Sequence, residues 1–298
     1  MTDYGPVDVD AATFGLMAGW GRYPIVIAKT LRQRGIRVVC VGVKDHADPQ
    51  LQTYCDDYVE LGMGKLGAAS RFFRRHGVKH ATMAGKIHKI VLFQSDLFVK
   101  HFPDWKAIRT FFSHFISKSK DRKDDTLLLA LTEFFQREGV HFAPATNLLP
   151  ELLVKTGILS KRQPSSSELK DIRFGWDLAK EMGRLDVGQT VAVKGRAVLA
   201  VEAVEGTDLC IRRAGDLCTS GGFTVVKVAK PHQDMRFDVP TIGVGTLKSI
   251  VAAGARVLAV ESDKTVVVDE PEVVAYADRH RITIMALQDE TASAQDAA

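Results

Sequence analysis

The sequence predicts a two-domain α/β protein with a parallel, doubly wound sheet in its N-terminal half. Its 298 residues suffice for two domains with sizeable cores. Strand-like apolar runs alternate with helix-length segments, which is typical of a parallel sheet covered by helices on both faces. A proline- and serine-rich stretch interrupts this alternation. We therefore predict an N-terminal domain over residues 1–146, a linker over 147–167, a C-terminal α/β domain over 168–288 and a disordered tail over 289–298.

Composition and charge exclude several classes of protein. Apolar residues make up 46% and charged residues 26% of the chain, as in ordinary globular proteins. We expect no transmembrane helix and no signal peptide, because no apolar run approaches about 18 residues and the N-terminus is acidic. The four cysteines lack Cys-x-x-Cys spacing, which indicates a reducing compartment and argues against structural zinc. The net charge of +4 fits an acidic small ligand or an anionic membrane surface, and no nucleic-acid signature is present.

The N-terminal half begins as a strand, a glycine turn and a helix. Thr13–Ala18 is predicted to be a buried strand, and a helix follows Gly19-Trp-Gly-Arg-Tyr-Pro and stops at Gly35. Such a turn places backbone N–H groups where an anion could bind, which makes Gly19, Gly21 and Arg22 candidates. Pro24 stands where a dinucleotide fingerprint has its third glycine, so a purely structural turn explains the pattern equally well.

Three further strands complete the predicted sheet. They are Arg37–Val43, Asp57–Leu61 and His80–Ala84, the last ending in Gly85-Lys86. Because parallel sheets bind ligands at the carboxyl ends of their strands, Lys86 and the first glycine turn are expected on one rim.

A basic, phenylalanine-rich segment over residues 98–123 follows. The spacing of Ile108, Phe111, Phe112 and Phe115 gives one apolar helix face, for which core packing is the default and a membrane or acyl-chain contact the alternative. Next, Asp124 caps a helix that ends at Gly139, which leaves Asp125 available for function. His141–Thr146 is predicted to be a short strand.

Acidic residues collect in the C-terminal half. Ser165-x-x-Glu168 is a capping box that opens a helix to Met182, with Gly183 as its stop. A hairpin then turns at Lys194-Gly195. Its far end carries Glu202, Glu205, Thr207 and Asp208.

A charged loop follows the apolar run Phe223–Val228, between Pro231 and Pro240. Buried strands can present such charges at a sheet edge, where carboxylates hold a hard cation and lysines face phosphate oxygens. A solvated loop with internal salt bridges is the alternative. Several polar clusters within about fifty residues favour a site, because buried carboxylates cost free energy unless they are paired or metal-bound. The charged and amide side chains of this segment are Lys227, Lys230, Gln233, Asp234, Arg236 and Asp238.

The remaining sequence predicts a helix over Val244–Ala253, a pair of strands at Arg256–Val260 and Thr265–Val268, a short helix starting at Pro271 and a last strand over Arg281–Leu287.

With these motifs in view, the chain resembles the magnesium-dependent UDP-2,3-diacylglucosamine pyrophosphatases of lipid A biosynthesis. The likeness runs from Phe14 to about Leu287 and rests on GLMAGWGRYP, the Asp124-Asp125 pair, DVGQTVAV, VLAVEAVEGTD and KVAKPHQDMRFDVPTIG. It implies a Rossmann-like N-terminal domain, a separate C-terminal α/β domain and an active site in the cleft between them. Trp20 and Lys123 depart from the residues common in the family at those positions.

The resemblance also implies roles for individual residues. Water would attack the α-phosphorus, giving UMP and 2,3-diacylglucosamine 1-phosphate (lipid X), with Mg²⁺ bridging the diphosphate. The catalytic residues would be Asp234, Lys227 and Lys230. The metal ligands would be drawn from Asp234, Asp208, Asp238, Glu205 and Glu202. Substrate binding would fall to Gly19, Gly21, Arg22, Lys86, Asp125, Gln189, Thr207, Gln233 and Arg236.

Two other classes of function stay open. A nucleotide-dependent oxidoreductase would use the first glycine turn. The tip of the second strand lacks the acidic residue that such an enzyme needs, but Asp45 follows two residues after Val43 and keeps this class open. A non-catalytic acyl-lipid or nucleotide-sugar binding protein is the other class, although five nearby carboxylates would not help it hold a diphosphate without a metal. The predicted partners are the acylated UDP-sugar, lipid X and the cytoplasmic face of the inner membrane, without nucleic acid. A homo-oligomer is left open.

Overall fold

The computed structural model describes residues 12–86, 104–109, 124–231, 234–236 and 239–289. The chain divides into two compact units at Pro150, except that residues 234–236 group with the first unit. The prediction of a mixed α/β protein in two domains is confirmed.

The first unit contains a sheet of five parallel strands in the order β3-β2-β1-β4-β5. The four longer strands have the bounds that the sequence predicts, and each ends at a glycine or a polar turn. The core includes Phe73, Phe135 and Phe142, whose rings contact one another. The strands are β1 (Thr13–Ala18), β2 (Arg37–Val43), β3 (Asp57–Leu61), β4 (His80–Ala84) and β5 (His141–Phe142). The helices are α1 (Tyr23–Gln33), α2 (Leu51–Tyr54), α3 (Leu66–Arg75), α4 (Asp124–Arg137) and α5 (Ala145–Leu148).

The second unit contains a six-stranded sheet in the order β6-β13-β11-β9-β7-β8. Its three central strands are parallel, while β7, β8 and β6 run antiparallel to their neighbours. The strands are β6 (Gly157–Ile158), β7 (Thr190–Lys194), β8 (Ala197–Val201), β9 (Thr224–Lys227), β10 (Thr241–Ile242), β11 (Val257–Glu261), β12 (Val266–Val267) and β13 (Thr283–Leu287). The helices are α6 (Ser166–Arg184), α7 (Thr207–Leu217), α8 (Val244–Ala253) and α9 (Glu270–His280).

Local signals place several of these elements. Ser165 caps α6 in the predicted capping box, with the Glu168 side chain accepting from the Ser165 backbone N–H at 2.7 Å. The hairpin of β7 and β8 forms as predicted, and the buried Asp171 carboxylate accepts from the backbone N–H groups of Gly195 and Arg196 at its turn.

Other expectations need correction. Residues 147–167 contain the end of α5, a short 3₁₀ helix at Pro150–Leu152 and β6, which pairs with β13, so this stretch belongs to the two units and is not a separate linker. The predicted strand over His141–Thr146 ends at Phe142 and gives way to α5.

One strand pairing and the role of one glycine also differ from the prediction. The strands β11 and β12 do not pair, because β12 pairs with β10 whereas β11 lies between β9 and β13. Helix α6 continues through Gly183 to Arg184. A Cβ on Gly183 would lie 3.2 Å from the Lys230 Cα, so this glycine allows a close approach of the helix to a loop.

Some predictions lie outside the described residues. They concern the segment over residues 98–123 apart from 104–109, and the tail from residue 290 onward. Within the described ranges, no helix combines the length and apolar character needed to cross a bilayer.

Candidate active site

The carboxyl end of β9 presents a buried lysine. Lys227 is only 5% exposed, and its Nζ donates to Thr207 Oγ1 at 3.1 Å and to the Thr241 carbonyl oxygen at 3.3 Å. Lys227 is the last residue of β9 and follows three buried residues, so its ammonium lies at the edge of the sheet. Buried ammonium groups require partners, and this one has a hydroxyl and a carbonyl.

A buried carboxylate lies on the other side of Thr207. The Thr207 hydroxyl donates to Glu202 Oε1 at 3.1 Å, and Thr190 Oγ1 lies 3.4 Å from the same hydroxyl. Glu202 is 7% exposed, and its Oε2 has no hydrogen-bond partner among the described residues. Gly188 of the DVGQ motif passes so close that a Cβ there would lie 2.0 Å from the Glu202 carbonyl oxygen, which explains why a glycine is required.

A second lysine–carboxylate pair lies at the end of the neighbouring strand. Glu261 ends β11, is 3% exposed, and pairs with Lys180 of α6 at 2.7 Å. Its Oε2 also accepts from the Ala229 backbone N–H at 2.8 Å, and Lys180 further pairs with Asp289 at 2.9 Å. The pair therefore anchors the backbone directly after β9.

The sequence analysis missed Lys180, Thr190 and Glu261. A signal existed for Glu261, since it is a charged residue at the end of the apolar run VLAV, as Lys227 is at the end of its own strand. Lys180 lies in the middle of a polar helix, where sequence alone offers no reason to select it.

Lys230 and Asp234 have close charged partners. Lys230 Nζ donates to Asp186 Oδ1 at 2.7 Å, and Asp186 adopts a left-handed backbone with φ of 57°. The Asp234 carboxylate accepts from the Arg236 backbone N–H at 3.0 Å and from the Arg236 guanidinium, whose Nε lies 3.0 Å from both carboxylate oxygens. Arg236 also donates to Thr132 Oγ1 at 3.4 Å, within the first unit.

Glu205 and Asp208 contact other groups. Glu205 pairs with Arg213, and both line an open pocket of about 520 Å³ together with Val201, Ala203 and Leu209. Burial raises the pKa of Glu205, but hydrogen bonds from its own backbone N–H, Arg213 and Ala203 outweigh this effect and lower the pKa. Asp208 accepts from the Ser249 hydroxyl at 3.0 Å.

In the first unit, backbone pairing occupies part of the glycine turn. The Gly19 N–H donates to the Ala84 carbonyl at 2.8 Å, and Trp20 and Lys86 exchange two backbone hydrogen bonds. A Cβ on Gly19 would lie 2.7 Å from the Lys86 carbonyl oxygen, so this glycine serves close approach to the neighbouring loop. Its N–H is already used and cannot also hold an anion. Gly21, with φ of 108°, and Arg22 precede helix α1.

Comparison with known proteins covers both units. A family model described as the LpxI N-terminal domain matches residues 13–152, and one described as the LpxI C-terminal domain matches residues 155–285. The chain is 32% identical over 271 residues to a protein of Caulobacter vibrioides named UDP-2,3-diacylglucosamine pyrophosphatase LpxI, covering 89% of this chain and 93% of that relative. The chain belongs to the LpxI family. The family resemblance inferred from the sequence motifs is thereby confirmed.

The structure does not bring the described members of the predicted magnesium ligand set together. Among the described residues, no three His, Cys, Asp or Glu side chains group closely enough to hold a metal ion. Glu202, Glu205, Asp208 and Asp234 each contact a different partner, as set out above. The described members of the predicted set therefore do not form a three-ligand cluster, and Asp238 lies outside the described residues.

Three of the predicted LpxI site residues allow no structural statement about their side chains. Gln233 and Asp238 lie outside the described residues, and for Asp125 only the helical backbone of α4 is described. Gln189 is described, and its side-chain oxygen is buried with no hydrogen-bond partner among the described residues.

Proposed function

We propose that this protein hydrolyses the diphosphate of UDP-2,3-diacylglucosamine at the α-phosphate, giving UMP and lipid X as a step of lipid A biosynthesis. The observation that carries the proposal is the likeness to the named Caulobacter pyrophosphatase across both domains. No described feature favours the oxidoreductase alternative, and one N–H of the turn that it would use is already bonded. The Rossmann-like character of the first unit and an active site between the domains remain part of the proposal; the strand order β3-β2-β1-β4-β5 supports the former.

Hydrolysis of a diphosphate requires positively charged groups close to the negatively charged phosphoryl oxygens, and a water molecule positioned for attack. We assign the charge to Lys227, Lys230 and Arg236, and the water to the Asp234 carboxylate. Two kinds of donor from Arg236, its backbone N–H and its guanidinium, hold that carboxylate in one orientation. A positioned carboxylate can accept a proton from the attacking water.

Magnesium dependence is proposed from the family resemblance. Proteins often bind Mg²⁺ through one or two carboxylates together with substrate phosphates, so a preformed three-carboxylate cluster is not required. We expect EDTA to abolish turnover and added Mg²⁺ to restore it. Full turnover in EDTA would remove the metal from the proposal.

The proposal is tested by turnover of radiolabelled UDP-2,3-diacylglucosamine in ¹⁸O-water. We expect label in UMP, because attack at the α-phosphorus adds the water oxygen to that product. Label confined to lipid X would contradict the site of attack, and absence of any hydrolysis would contradict the function.

Asp234→Ala tests the central carboxylate. We expect turnover to fall by about 10² to 10⁴-fold in a folded protein, the range for a lost acid–base group or charge stabiliser. If Asp234 only pairs with Arg236, the change costs about 0–1 kcal/mol of stability and leaves turnover intact. Glu181→Ala is the matched control, since Glu181 forms an ordinary surface pair with Arg184.

We further propose that the protein works at the cytoplasmic face of the inner membrane. In the described part of the phenylalanine-rich segment, Trp105 is 75% exposed and Ile108 and Arg109 are also exposed. Tryptophan beside basic residues suits a membrane surface. We expect salt-sensitive binding to anionic vesicles that Trp105→Ala weakens; equal binding to neutral vesicles would contradict an electrostatic contribution. A homo-oligomer stays a prediction.

A further inference from the structure

Three buried side chains connect a carboxylate to an ammonium at the edge of the second sheet. The series runs from Glu202 through the Thr207 hydroxyl to Lys227, with 3.1 Å at each step. All three residues are at most 9% exposed. We call this series the Glu202–Thr207–Lys227 chain.

The chemistry of the groups fixes the direction of each hydrogen bond. A protonated lysine can only donate and an ionised carboxylate can only accept. The single Thr207 proton must therefore go to Glu202, and its lone pairs accept from Lys227. Because that proton is used, Thr190 must donate to Thr207 at 3.4 Å. The threonine hydroxyl is thus held from three sides, and it holds the ammonium in turn.

Stability alone does not account for this arrangement. Buried ion pairs often contribute no more than an apolar replacement, because desolvation offsets their attraction. The Glu202 carboxylate also keeps one buried oxygen that no described residue donates to, which costs free energy. A side chain retained at such cost is a candidate for function, and its one described side-chain contact leads to Lys227.

We propose that Glu202 and Thr207 are positioning residues that direct the Lys227 ammonium toward the diphosphate, and that Glu202 is not a magnesium ligand. The proposal rests on the proposed function, because it assumes that Lys227 contacts the substrate. It replaces the metal role that the family resemblance implies for Glu202.

A double-mutant cycle tests the coupling. We expect Thr207→Val to lower kcat/KM by about 10- to 100-fold, the equivalent of a lost hydrogen bond to a charged group. Glu202→Gln keeps the hydrogen bond from Thr207 but removes the carboxylate charge, and we expect it to lower kcat/KM by about tenfold. In a Lys227→Met background the same changes should lower it by less than about twofold, because the group that they position is gone. If Thr207→Val or Glu202→Gln lowers kcat/KM by the same factor in the Lys227→Met background as in the parent protein, the residues act independently and the proposal is overturned.

Two variants serve as controls. Thr207→Ser keeps the hydroxyl and should stay within about threefold of the parent protein. Thr224→Val makes the same chemical change as Thr207→Val at a fully buried threonine of β9 whose hydroxyl has no partner among the described residues, so it should leave turnover unchanged. Loss of activity in Thr224→Val equal to that in Thr207→Val would overturn the specific role.

Magnesium titration separates positioning from metal binding. A positioning role predicts that Glu202→Gln lowers the maximal rate without changing the Mg²⁺ concentration for half-maximal activity. A tenfold rise in that concentration would show that Glu202 is a metal ligand and would overturn the proposal.

Thermal unfolding checks that each variant is folded. If Thr207→Val does not fold, Glu202→Gln still provides the test, because glutamine can accept the hydrogen bond from Thr207. No turnover by the parent protein would contradict the proposed function instead.

Discussion

The second sheet holds two lysine–carboxylate pairs at the ends of neighbouring strands, and they differ in how the charges meet. Lys180 and Glu261 touch directly at 2.7 Å, and both also hold the Ala229 backbone. Among the described residues, Lys227 and Glu202 are connected through the Thr207 hydroxyl, which lies 3.1 Å from each. Coulomb attraction falls with distance, so a pair separated by a hydroxyl neutralises its ammonium less than a direct pair.

The difference assigns the pairs to different tasks. The direct pair fixes the loop that follows β9, and its charges serve each other. The indirect pair holds the Lys227 ammonium through a hydroxyl and fixes its direction. One member of each pair, Lys227 or Glu261, ends a strand of the parallel pair β9 and β11, and parallel strands present their final residues along one edge of the sheet.

The largest expected difference is in turnover. Lys227→Met should lower kcat/KM by about 10² to 10⁴-fold, because it removes a charge that stabilises the transition state. Lys180→Met removes a lysine of α6 that contacts the end of the neighbouring strand. It should cost less than about tenfold per folded molecule, since Lys180 pairs with Glu261 and Asp289 and has no role assigned at the diphosphate. Steady-state kinetics on both variants, with the folded fraction measured by circular dichroism, decide the comparison. Equal losses would end the distinction between the two pairs.

The next effect is in stability. Glu261→Ala leaves the Lys180 ammonium without its most buried partner and the Ala229 N–H without an acceptor, so we expect the free energy of unfolding to fall by about 3–5 kcal/mol. Urea unfolding measures it. Glu181→Ala, one residue after Lys180 and in a surface pair with Arg184, should cost at most about 1 kcal/mol. A similar cost for both variants would mean that Glu261 is not buried as described.

The smallest effect concerns Glu168, which lies outside the sheet edge and pairs with Arg162. This pair has only a structural role and serves as the reference for the other two. Burial raises the pKa of Glu168, but hydrogen bonds from Arg162 and Ser165 outweigh it and lower the pKa. A lowered folded-state pKa adds stability above the unfolded value of about 4.3, and this stability is lost as the pH falls through the folded-state pKa.

Glu168→Gln should therefore cost about 1 kcal/mol at pH 7, where it also weakens the capping box. The difference from the parent protein should shrink as the pH falls from about 5 to 3. Unfolding curves across this range measure it. A difference that stays constant with pH would show that the charge of Glu168 contributes nothing.

Elements whose signals are local could be predicted from the amino-acid sequence. The strands β1 and β2 follow from buried apolar runs, and the start of α6 follows from the pattern Ser165-x-x-Glu168. The same local reasoning selected Lys227, because a charge at the end of an apolar strand reaches the sheet edge. The family could also be recognised from the sequence, because its motifs are short contiguous segments whose order and spacing are visible along the chain.

Which distant groups meet depends on the tertiary packing. Strand β11 pairs with β9 and β13 and not with the nearby β12, because sheet order depends on packing across the whole unit. A glycine occupies position 183 inside α6 because the Lys230 backbone approaches it closely. Local sequence patterns cannot reveal this contact. Glu202, Glu205 and Asp208 are close in sequence, yet a strand end, a turn and a helix direct them to Thr207, Arg213 and Ser249. Nearness along the chain fixes neither the direction nor the partner of a side chain, because both depend on the backbone that carries it.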